Sequence, residues 1–152
     1  MPMLTIRKAE PRDAEALLEL YQHHLTAHPP EEPQDMARWQ EMLARFQADP
    51  RYHLLVGGLD GSAVASATLV IVENLTHNTR PYAIVENVVT HREHRGRGIA
   101  SALMDRAAQI AKDAGCYKIM LMTGSKLDST LRFYERCGFN REDKTGFIRW
   151  IR

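Results

Sequence analysis

The fold is decided by residues 81–114, which read PYAIVENVVTHREHRGRGIASALMDRAAQIAKDA. Residues 82–90 are rich in Val, Ile and Tyr, a composition that favours a β-strand. Beyond them, apolar side chains recur at the spacing of one helix face, at Ile99, Leu103, Ala107, Ile110 and Ala114. The sequence therefore predicts a strand and a helix joined by a basic turn that contains glycine.

This turn is suited to binding an anion. Gly96 and Gly98 have no Cβ, so the backbone can adopt unusual dihedral angles and approach a ligand closely. The first turn of the following helix offers unpaired N–H groups and a partial positive charge, where a phosphate can dock. Arg92, Arg95 and Arg97 add full positive charges. We predict that the turn binds a pyrophosphate.

The glycine spacing excludes two common nucleotide motifs. A Gly-x-x-x-x-Gly-Lys-Ser/Thr phosphate loop occurs nowhere in the chain. The dinucleotide fingerprint Gly-x-Gly-x-x-Gly requires a third glycine, and counting from Gly96 that position holds Ser101. The pyrophosphate therefore belongs to another kind of ligand.

Residues 95–100, Arg-Gly-Arg-Gly-Ile-Ala, resemble the Gln/Arg-x-x-Gly-x-Gly/Ala motif of the GNAT superfamily of N-acetyltransferases. In that family the motif binds the pyrophosphate of acetyl-coenzyme A (acetyl-CoA). The resemblance implies that the pantetheine arm lies along the strand at Val88, Val89 and Thr90. It also implies contacts to the cofactor from the turn and the helix start, at Arg95, Gly96, Arg97, Gly98, Ile99, Ala100 and Ser101.

A second block supports the same family. Residues 131–139, LRFYERCGF, resemble its Phe-Tyr-x-x-x-Gly-Phe signature. Together with residues 115–119, GCYKI, they are similar to the glucosamine-phosphate N-acetyltransferase branch in particular. Where many relatives have a cofactor-contacting Asn early in the last helix, this chain has Thr130. A hydroxyl of Thr130 or of Ser129 would have to replace that contact.

The resemblance implies that a primary amine attacks the thioester of acetyl-CoA directly, without a covalent enzyme intermediate. Tyr134 would donate to the departing sulfur, the alternative being a tyrosine that only packs. Backbone N–H groups at a strand bulge near Val88 would stabilise the oxyanion.

Glu86 is the candidate base, acting directly or through water, because a carboxylate within an apolar strand is costly to bury without a role. Its alternative is a salt bridge to Arg80 or Arg132. Strict alternation would place Glu86, Val88 and Thr90 on one face of the strand.

Flanking patterns predict a single α/β domain over residues 1–152, with a mixed, twisted sheet flanked by helices. Outside the central stretch, one helix is predicted to begin near residue 11, a second to span residues 34–47 and a third to begin near residue 128. The predicted strands are 3–8, 52–56, 63–72, 117–123 and a closing strand at 146–151, with a hairpin turn at 57–62 and a polar loop at 73–81.

Composition narrows the functional classes. Twenty basic and 19 acidic side chains give a net charge of +1, which argues against a broad nucleic-acid surface. The two cysteines form neither a disulfide framework nor a metal-ligand spacing. The chain shows no signal peptide pattern and no apolar run of the length that spans a bilayer, so the expected compartment is the cytoplasm, without membrane attachment.

The histidines have two possible interpretations, as ligands of a metal site or as solvated residues. His23, His24 and His28 lead into Pro29-Pro30-Glu31-Glu32-Pro33, which favours a solvated loop on the acceptor side over converging metal ligands. His91 and His94 precede the glycines and are interpreted as solvated residues that tune the charge of the turn. We predict no metal.

The sequence thus predicts an N-acetyltransferase that uses acetyl-CoA and acetylates a small-molecule amine, with an amino-sugar phosphate as the acceptor nearest to the resemblance. A non-catalytic acyl-CoA-binding module and acetylation of a protein or peptide amine are the alternatives. Residues 22–40 and 73–81 would surround the acceptor without identifying it. A homodimer through the final strands, common in the family, is also expected.

Overall fold

The fold is built on a five-stranded sheet in the computed structural model, which describes residues 3–26 and 31–151. Its strands, in chain order, are β1 (Leu4–Lys8), β2 (Tyr52–Leu59), β3 (Ser62–Val72), β4 (Tyr82–Thr90) and β5 (Ile119–Leu121). They keep this order across the sheet: β1 to β4 pair antiparallel, and β4 and β5 pair parallel. The mixed sheet and its parallel strand–helix–strand unit are confirmed.

The helices are α1 (Ala14–Leu20), α2 (Met36–Ala48), α3 (Thr76–Thr79), α4 (Ile99–Asp113) and α5 (Asp128–Arg136). A 3₁₀ turn precedes α1, and a π-helical segment, Tyr21–Leu25, follows it. Helix α2 begins later than predicted because Asp35 caps it, its Oδ1 accepting from the N–H groups of Ala37 and Arg38. The single turn α3 lies within the predicted polar loop and includes left-handed residues.

Alternation along β2 divides the apolar core between the two faces of the sheet. Leu54 and Val56 pack on one face with Leu17 of α1 and Leu43 of α2. Leu55, between them, packs on the other face in the cluster that includes α4. All five side chains are buried, and burying each contributes about 1.5–3 kcal/mol. The helices are thus held on opposite faces, with β4 between them.

An ion pair ties β1 to the start of the first helical segment. The Arg7 guanidinium donates two hydrogen bonds of 2.7 Å to the Asp13 carboxylate, and the backbone N–H of Glu10 donates a third at 2.8 Å. Burial alone raises the pKa of Asp13, but these bonds outweigh it and leave the pKa below 3.8. Because the pKa is lowered on folding, the pair stabilises the fold above pH 3.8 and loses this contribution as the pH falls through the lowered value.

Strand β4 contains a bulge at its centre. Thr68 of β3 lies opposite Glu86, and Ser66 lies opposite Val89, so two residues of β4 face a single residue of β3. Asn87 adopts a left-handed φ of 54° at this point. A β-bulge of this kind bends the strand and redirects the side chains that follow it.

The predicted alternation along β4 is therefore wrong beyond Asn87. Val88 packs against the same core as Val85, instead of sharing a face with Glu86. The extra residue of the bulge shifts the side-chain period by one position.

The predicted closing strand at residues 146–151 is also wrong. In the described part of the chain β5 is the last strand, and residues 146–151 have no regular structure. Phe147 and Ile151 are each 88% exposed, and Trp150 is 72% exposed. A strand needs a paired neighbour, and β5 ends at Leu121 after three residues, shorter than the predicted 117–123.

Candidate active site

The basic turn has the backbone that anion binding requires. Gly96 and Gly98 have left-handed φ angles of 75° and 77°, and a Cβ built on either would meet no atom within 4 Å, so both face open space. Gly98 is the N-cap of α4 and provides no side-chain cap to the first N–H groups of that helix. These N–H groups can therefore bind a phosphate oxygen.

The arginines of this turn are held in place without losing their charge. Arg92 donates to the carbonyl oxygen of His23 at 2.6 Å, and Arg95 donates to those of His24 and Thr90 at 3.1 and 3.3 Å. Neither they nor Arg97 forms an ion pair within the described residues. Their positive charges remain available to a pyrophosphate.

His24 links the π-helical segment to the turn, which the sequence did not predict. Its Nδ1 accepts from the backbone N–H of Arg92 at 3.2 Å, and its ring lies 4.0 Å from that of His91 between centroids. Burial lowers the pKa of His24, and the charges of His91 and Arg92 lower it further. His24 therefore stays neutral and keeps its acceptor nitrogen at neutral pH. A separation of 68 residues hides this contact from local sequence patterns.

A groove of about 1400 Å³ begins at this turn and runs along β4. Its lining includes Glu86, Tyr134 and nearly all predicted cofactor residues, namely Val88, Val89, Thr90, Arg95, Gly96, Gly98, Ile99, Ala100, Ser101 and Thr130. Arg97 is not part of this lining, and its Nη1 lies 3.4 Å from Nδ1 of His94.

The groove exists because β4 and β5 diverge. Their pairing covers only Ala83, Ile84 and Val85 on β4. Beyond the Val85–Leu121 pair, residues 122–125 line the far side of the groove instead of pairing with β4. The resemblance to the GNAT family implies that a pantetheine arm lies along β4 at this groove.

Tyr134 reaches the groove from α5. Its ring packs edge-on against Phe133 and Phe139, at centroid distances of 5.1 and 6.2 Å. Burial raises the pKa of its phenol, and the charges of Cys137 and Glu86 raise it further. The phenol therefore keeps its proton at neutral pH and can act as a donor.

Glu86 is exposed in the groove and is not the buried carboxylate that the apolar strand suggested. Neither predicted salt bridge forms: Arg132 pairs with Asp128 at 2.8 Å, and Arg80 donates to the carbonyl oxygens of Gly115 and Cys116. Within the described residues, Glu86 has no ion pair. The salt-bridge alternative for Glu86 is thus wrong in this structure.

The charge of Glu86 acts on two tyrosines. Burial is the main cause of the raised pKa of Tyr52, and the negative charge of Glu86 is the second cause. The same charge also contributes to the raised pKa of Tyr134. Tyr134 lines the groove, whereas Tyr52 lines a second cavity. Glu86 is therefore close enough to both tyrosines for its charge to act on them.

The second cavity has a volume of about 420 Å³ and lies between α1, α2 and the sheet. Asn87, at the bulge, lines both this cavity and the groove, so the two spaces meet there. Aromatic rings of Tyr21, Trp39, Phe46 and Tyr52 form much of its wall. These four residues come from three elements, the π-helical segment, α2 and β2, and no local sequence signal marks them as a site.

Thr130 has the position that the departure from the family motif required. It lines the groove, and its Oγ1 accepts from the Ser125 hydroxyl at 3.1 Å. Ser129 lines the groove as well. Either hydroxyl can therefore face a ligand in the groove.

The profile of the acetyltransferase (GNAT) family matches residues 14–139, which span the turn, the bulge and both tyrosines that Glu86 influences. The chain belongs to the GNAT acetyltransferase family. It is accordingly an acyltransferase, and acetyl-CoA is its acetyl donor. The open glycines, the uncapped start of α4 and the unpaired arginines fit the pyrophosphate of this donor.

Similar proteins include glucosamine 6-phosphate N-acetyltransferase of Trypanosoma brucei brucei, 32% identical over 93% of this chain and 92% of that protein. The solved structure of a putative acetyltransferase from Agrobacterium tumefaciens has a TM-score of 0.84 and 41% identity, covering 96% of this chain and 99% of that one. Glucosamine-6-phosphate N-acetyltransferase of Arabidopsis thaliana, with a TM-score of 0.82 over 98% and 99% of the two chains, is 20% identical and shares the fold.

The histidines near the turn do not assemble a metal site. In residues 3–26 and 31–151, no three His, Cys, Asp or Glu side chains converge as ligands. His23 and His24 lie in the π-helical segment against the turn, not in the predicted solvated loop, and His28 lies outside the described residues. No helix in the described part of this GNAT domain has the length and apolar character needed to cross a membrane.

Proposed function

We propose that this enzyme transfers the acetyl group of acetyl-CoA to the primary amine of a small molecule by direct attack in a ternary complex, and that the acceptor is an amino-sugar phosphate. The observation that carries this proposal is the carboxylate of Glu86, which forms no ion pair within residues 3–26 and 31–151 and lies next to the bulge at which the groove and the second cavity meet. The Trypanosoma relative, named for glucosamine 6-phosphate, supports the choice of acceptor.

The donor and the acceptor would reach the bulge from opposite sides. The turn from Arg95 to Ser101 binds the pyrophosphate, and the backbone at Val88, Val89 and Thr90 binds the pantetheine arm beyond the end of the β4–β5 pairing. Thr130 adds a hydroxyl contact. The acceptor amine enters from the second cavity at Asn87. Expected in the cytoplasm, the enzyme needs no metal for this chemistry.

The reaction then needs three groups of the protein. Glu86, directly or through water, takes a proton from the acceptor's ammonium group, and the freed nitrogen forms a bond to the thioester carbon. Backbone N–H groups at the bulge near Val88 stabilise the negative charge that develops on the carbonyl oxygen. As the carbon–sulfur bond breaks, Tyr134 donates its proton to the leaving sulfur. The nitrogen, now bonded to the acetyl carbon, loses its second proton to water, and the Tyr134 phenolate takes up a proton from water.

The Glu86→Gln variant tests this assignment. We expect turnover at neutral pH to fall about 100-fold, because the amide cannot accept the ammonium proton. The deficit should shrink toward alkaline pH, where solution supplies more of the free amine. The melting temperature should stay unchanged, since Glu86 has no ion pair to lose within the described residues. Release of the CoA thiol with glucosamine 6-phosphate as acceptor measures the rate.

Glu73→Gln is the matched control, because Glu73 is exposed and lines neither the groove nor the second cavity. It should behave as the unmodified enzyme at every pH. If Glu86→Gln kept the rate and the pH profile of the unmodified enzyme, Glu86 would not be the base. Binding of acetyl-CoA without transfer to any sugar, peptide or protein amine would indicate a non-catalytic acyl-CoA-binding module instead.

We further propose that the enzyme forms a homodimer through residues 146–151. Phe147, Ile148 and Trp150 are largely exposed there, close to the exposed Met122 that contacts Gly146 beside β5. A second copy of the same segment would cover this apolar patch.

Sedimentation should give about twice the 17.3 kDa of one chain. Ile148→Lys combined with Trp150→Lys should produce the monomer, because two buried charges would face the interface. Met3→Lys, at a residue that is 70% exposed beside β1 at the opposite edge of the sheet from β5, should leave the dimer intact. A monomeric unmodified protein at high concentration would contradict the proposal.

A further inference from the structure

We infer that the second cavity holds the sugar ring of the acceptor against its aromatic wall, and that Arg38 at its mouth binds the phosphate group and selects phosphorylated acceptors. This inference rests on the proposed function and assigns a specificity role within it.

The aromatic wall offers a flat surface to a sugar ring. Phe46 and Tyr52 stack with centroids 3.7 Å apart, and Tyr21 and Trp39 lie 5.9 Å apart. The face of a pyranose that carries axial C–H groups is apolar and packs on such rings, while its hydroxyls point to the edges. All four side chains are half-buried, and three of them, Tyr21, Trp39 and Tyr52, have polar tips. Because Phe46 and Tyr52 stack on each other, each has one remaining face for a ligand. Such side chains are suited to ligands that are partly apolar and partly polar.

The inner end of the cavity suits the amine of the acceptor, and the outer end suits its phosphate. Asn87 and Thr68 lie at the inner end beside Glu86, and Thr68 is 2% exposed. The charged lining residues Glu32 and Arg38 are exposed and mark the outer end. In glucosamine 6-phosphate the amine and the phosphate lie on opposite sides of the ring. An amine placed at Glu86 therefore directs the phosphate toward the mouth.

Arg38 is the only cationic side chain in this lining, as far as the described residues show. Its guanidinium forms no ion pair or hydrogen bond in the same residues, although its backbone N–H is bound by the Asp35 cap. A planar guanidinium matches a phosphate through two parallel hydrogen bonds. Arg38 is thus a free anion-binding group at the place where the phosphate would lie.

Because two carboxylates also lie at the mouth, phosphate binding there depends on the positive charge of Arg38. Glu32 and Asp35 also belong to the lining. The Asp35 carboxylate is engaged by the N–H groups at the start of α2, which partly neutralises it, whereas Glu32 is exposed. Without Arg38, a phosphate would face only negative side chains there. Removing the charge of Arg38 should therefore strongly weaken the binding of phosphorylated acceptors.

The test is the ratio of kcat/KM for glucosamine 6-phosphate to that for glucosamine, measured in the unmodified enzyme and in Arg38→Gln. We expect this ratio to fall about 10-fold to 100-fold, mainly through a higher KM for the phosphorylated acceptor. Arg38→Lys, which keeps the charge without the planar fork, should restore part of the ratio. Raised salt should weaken binding of glucosamine 6-phosphate to the unmodified enzyme more than to Arg38→Gln.

Arg45→Gln is the matched control, since Arg45 is exposed on the same helix and does not line the cavity. An equal ratio in Arg38→Gln and Arg45→Gln would overturn the inference. Faster transfer to 2-phenylethylamine than to either sugar would also overturn it, while leaving the acetyltransferase activity standing. Calorimetry with glucosamine 6-phosphate in the presence of CoA separates the two proposals: binding that needs Arg38 but leads to no turnover would support this inference and contradict the proposed function.

Discussion

Gly98→Asp is expected to weaken acetyl-CoA binding about 100-fold or more and to abolish turnover at ordinary donor concentrations. The new side chain would project into open space at the start of α4, because a Cβ there meets no protein atom within 4 Å. Its carboxylate would face the pyrophosphate, and two like charges about 4 Å apart near a protein surface repel by about 4 kcal/mol. Calorimetry with acetyl-CoA measures the loss directly.

Two controls separate this charge effect from backbone strain. Gly98→Asn adds nearly the same bulk and the same left-handed strain without charge, so it should retain much more affinity than Gly98→Asp. Gly115→Asp places a carboxylate at another left-handed glycine, φ 82°, that does not line the groove. It should bind acetyl-CoA normally. Unchanged affinity in a folded Gly98→Asp variant would show that the turn does not bind the pyrophosphate.

Tyr134→Phe is expected to lower kcat by about 10²–10⁴-fold with little change in acetyl-CoA affinity. The phenol keeps its proton because burial and nearby negative charge raise its pKa, so it can donate to the sulfur as the thiolate leaves. That interaction matters mainly in the transition state, and its loss should therefore appear in kcat. The phenylalanine ring keeps the edge contacts to Phe133 and Phe139.

Tyr117→Phe provides the comparison, since Tyr117 stacks on His77 and does not line the groove. It should keep the kcat of the unmodified enzyme. Single-turnover measurements establish whether chemistry limits the rate in each protein. If chemistry is limiting and Tyr134→Phe turns over normally, Tyr134 only packs, as the alternative interpretation from the sequence held.

Local patterns correctly predicted the strand, the glycine turn and the helix of the proposed donor side, for a physical reason. The strand, the glycine turn and the start of α4 are contiguous in the chain, so the residues that form the anion site are neighbours in sequence and in space. The left-handed backbone at Gly96 and Gly98 also follows from residue type, because glycine adopts such angles without steric cost.

Features that depend on partners distant in the chain were missed or predicted wrongly. Strict alternation placed Val88 on the wrong face, because the bulge is defined by pairing with β3. The closing strand at 146–151 had a suitable composition but no neighbour to pair with in the described chain. The contact between His24 and Arg92 joins residues 68 positions apart.

By itself, the sequence determined the fold class, and it yielded the proposed place of the donor's pyrophosphate and the candidate roles of Glu86 and Tyr134, since periodicity and short motifs act over a few residues. Only the tertiary structure decided that Glu86 has no salt bridge in the described residues and that its charge acts on both Tyr52 and Tyr134. It also decided that an aromatic cavity with Arg38 at its mouth meets the groove at the bulge. The acceptor side is assembled from α1, α2 and three strands, and only packing the helices on the sheet brings those side chains together.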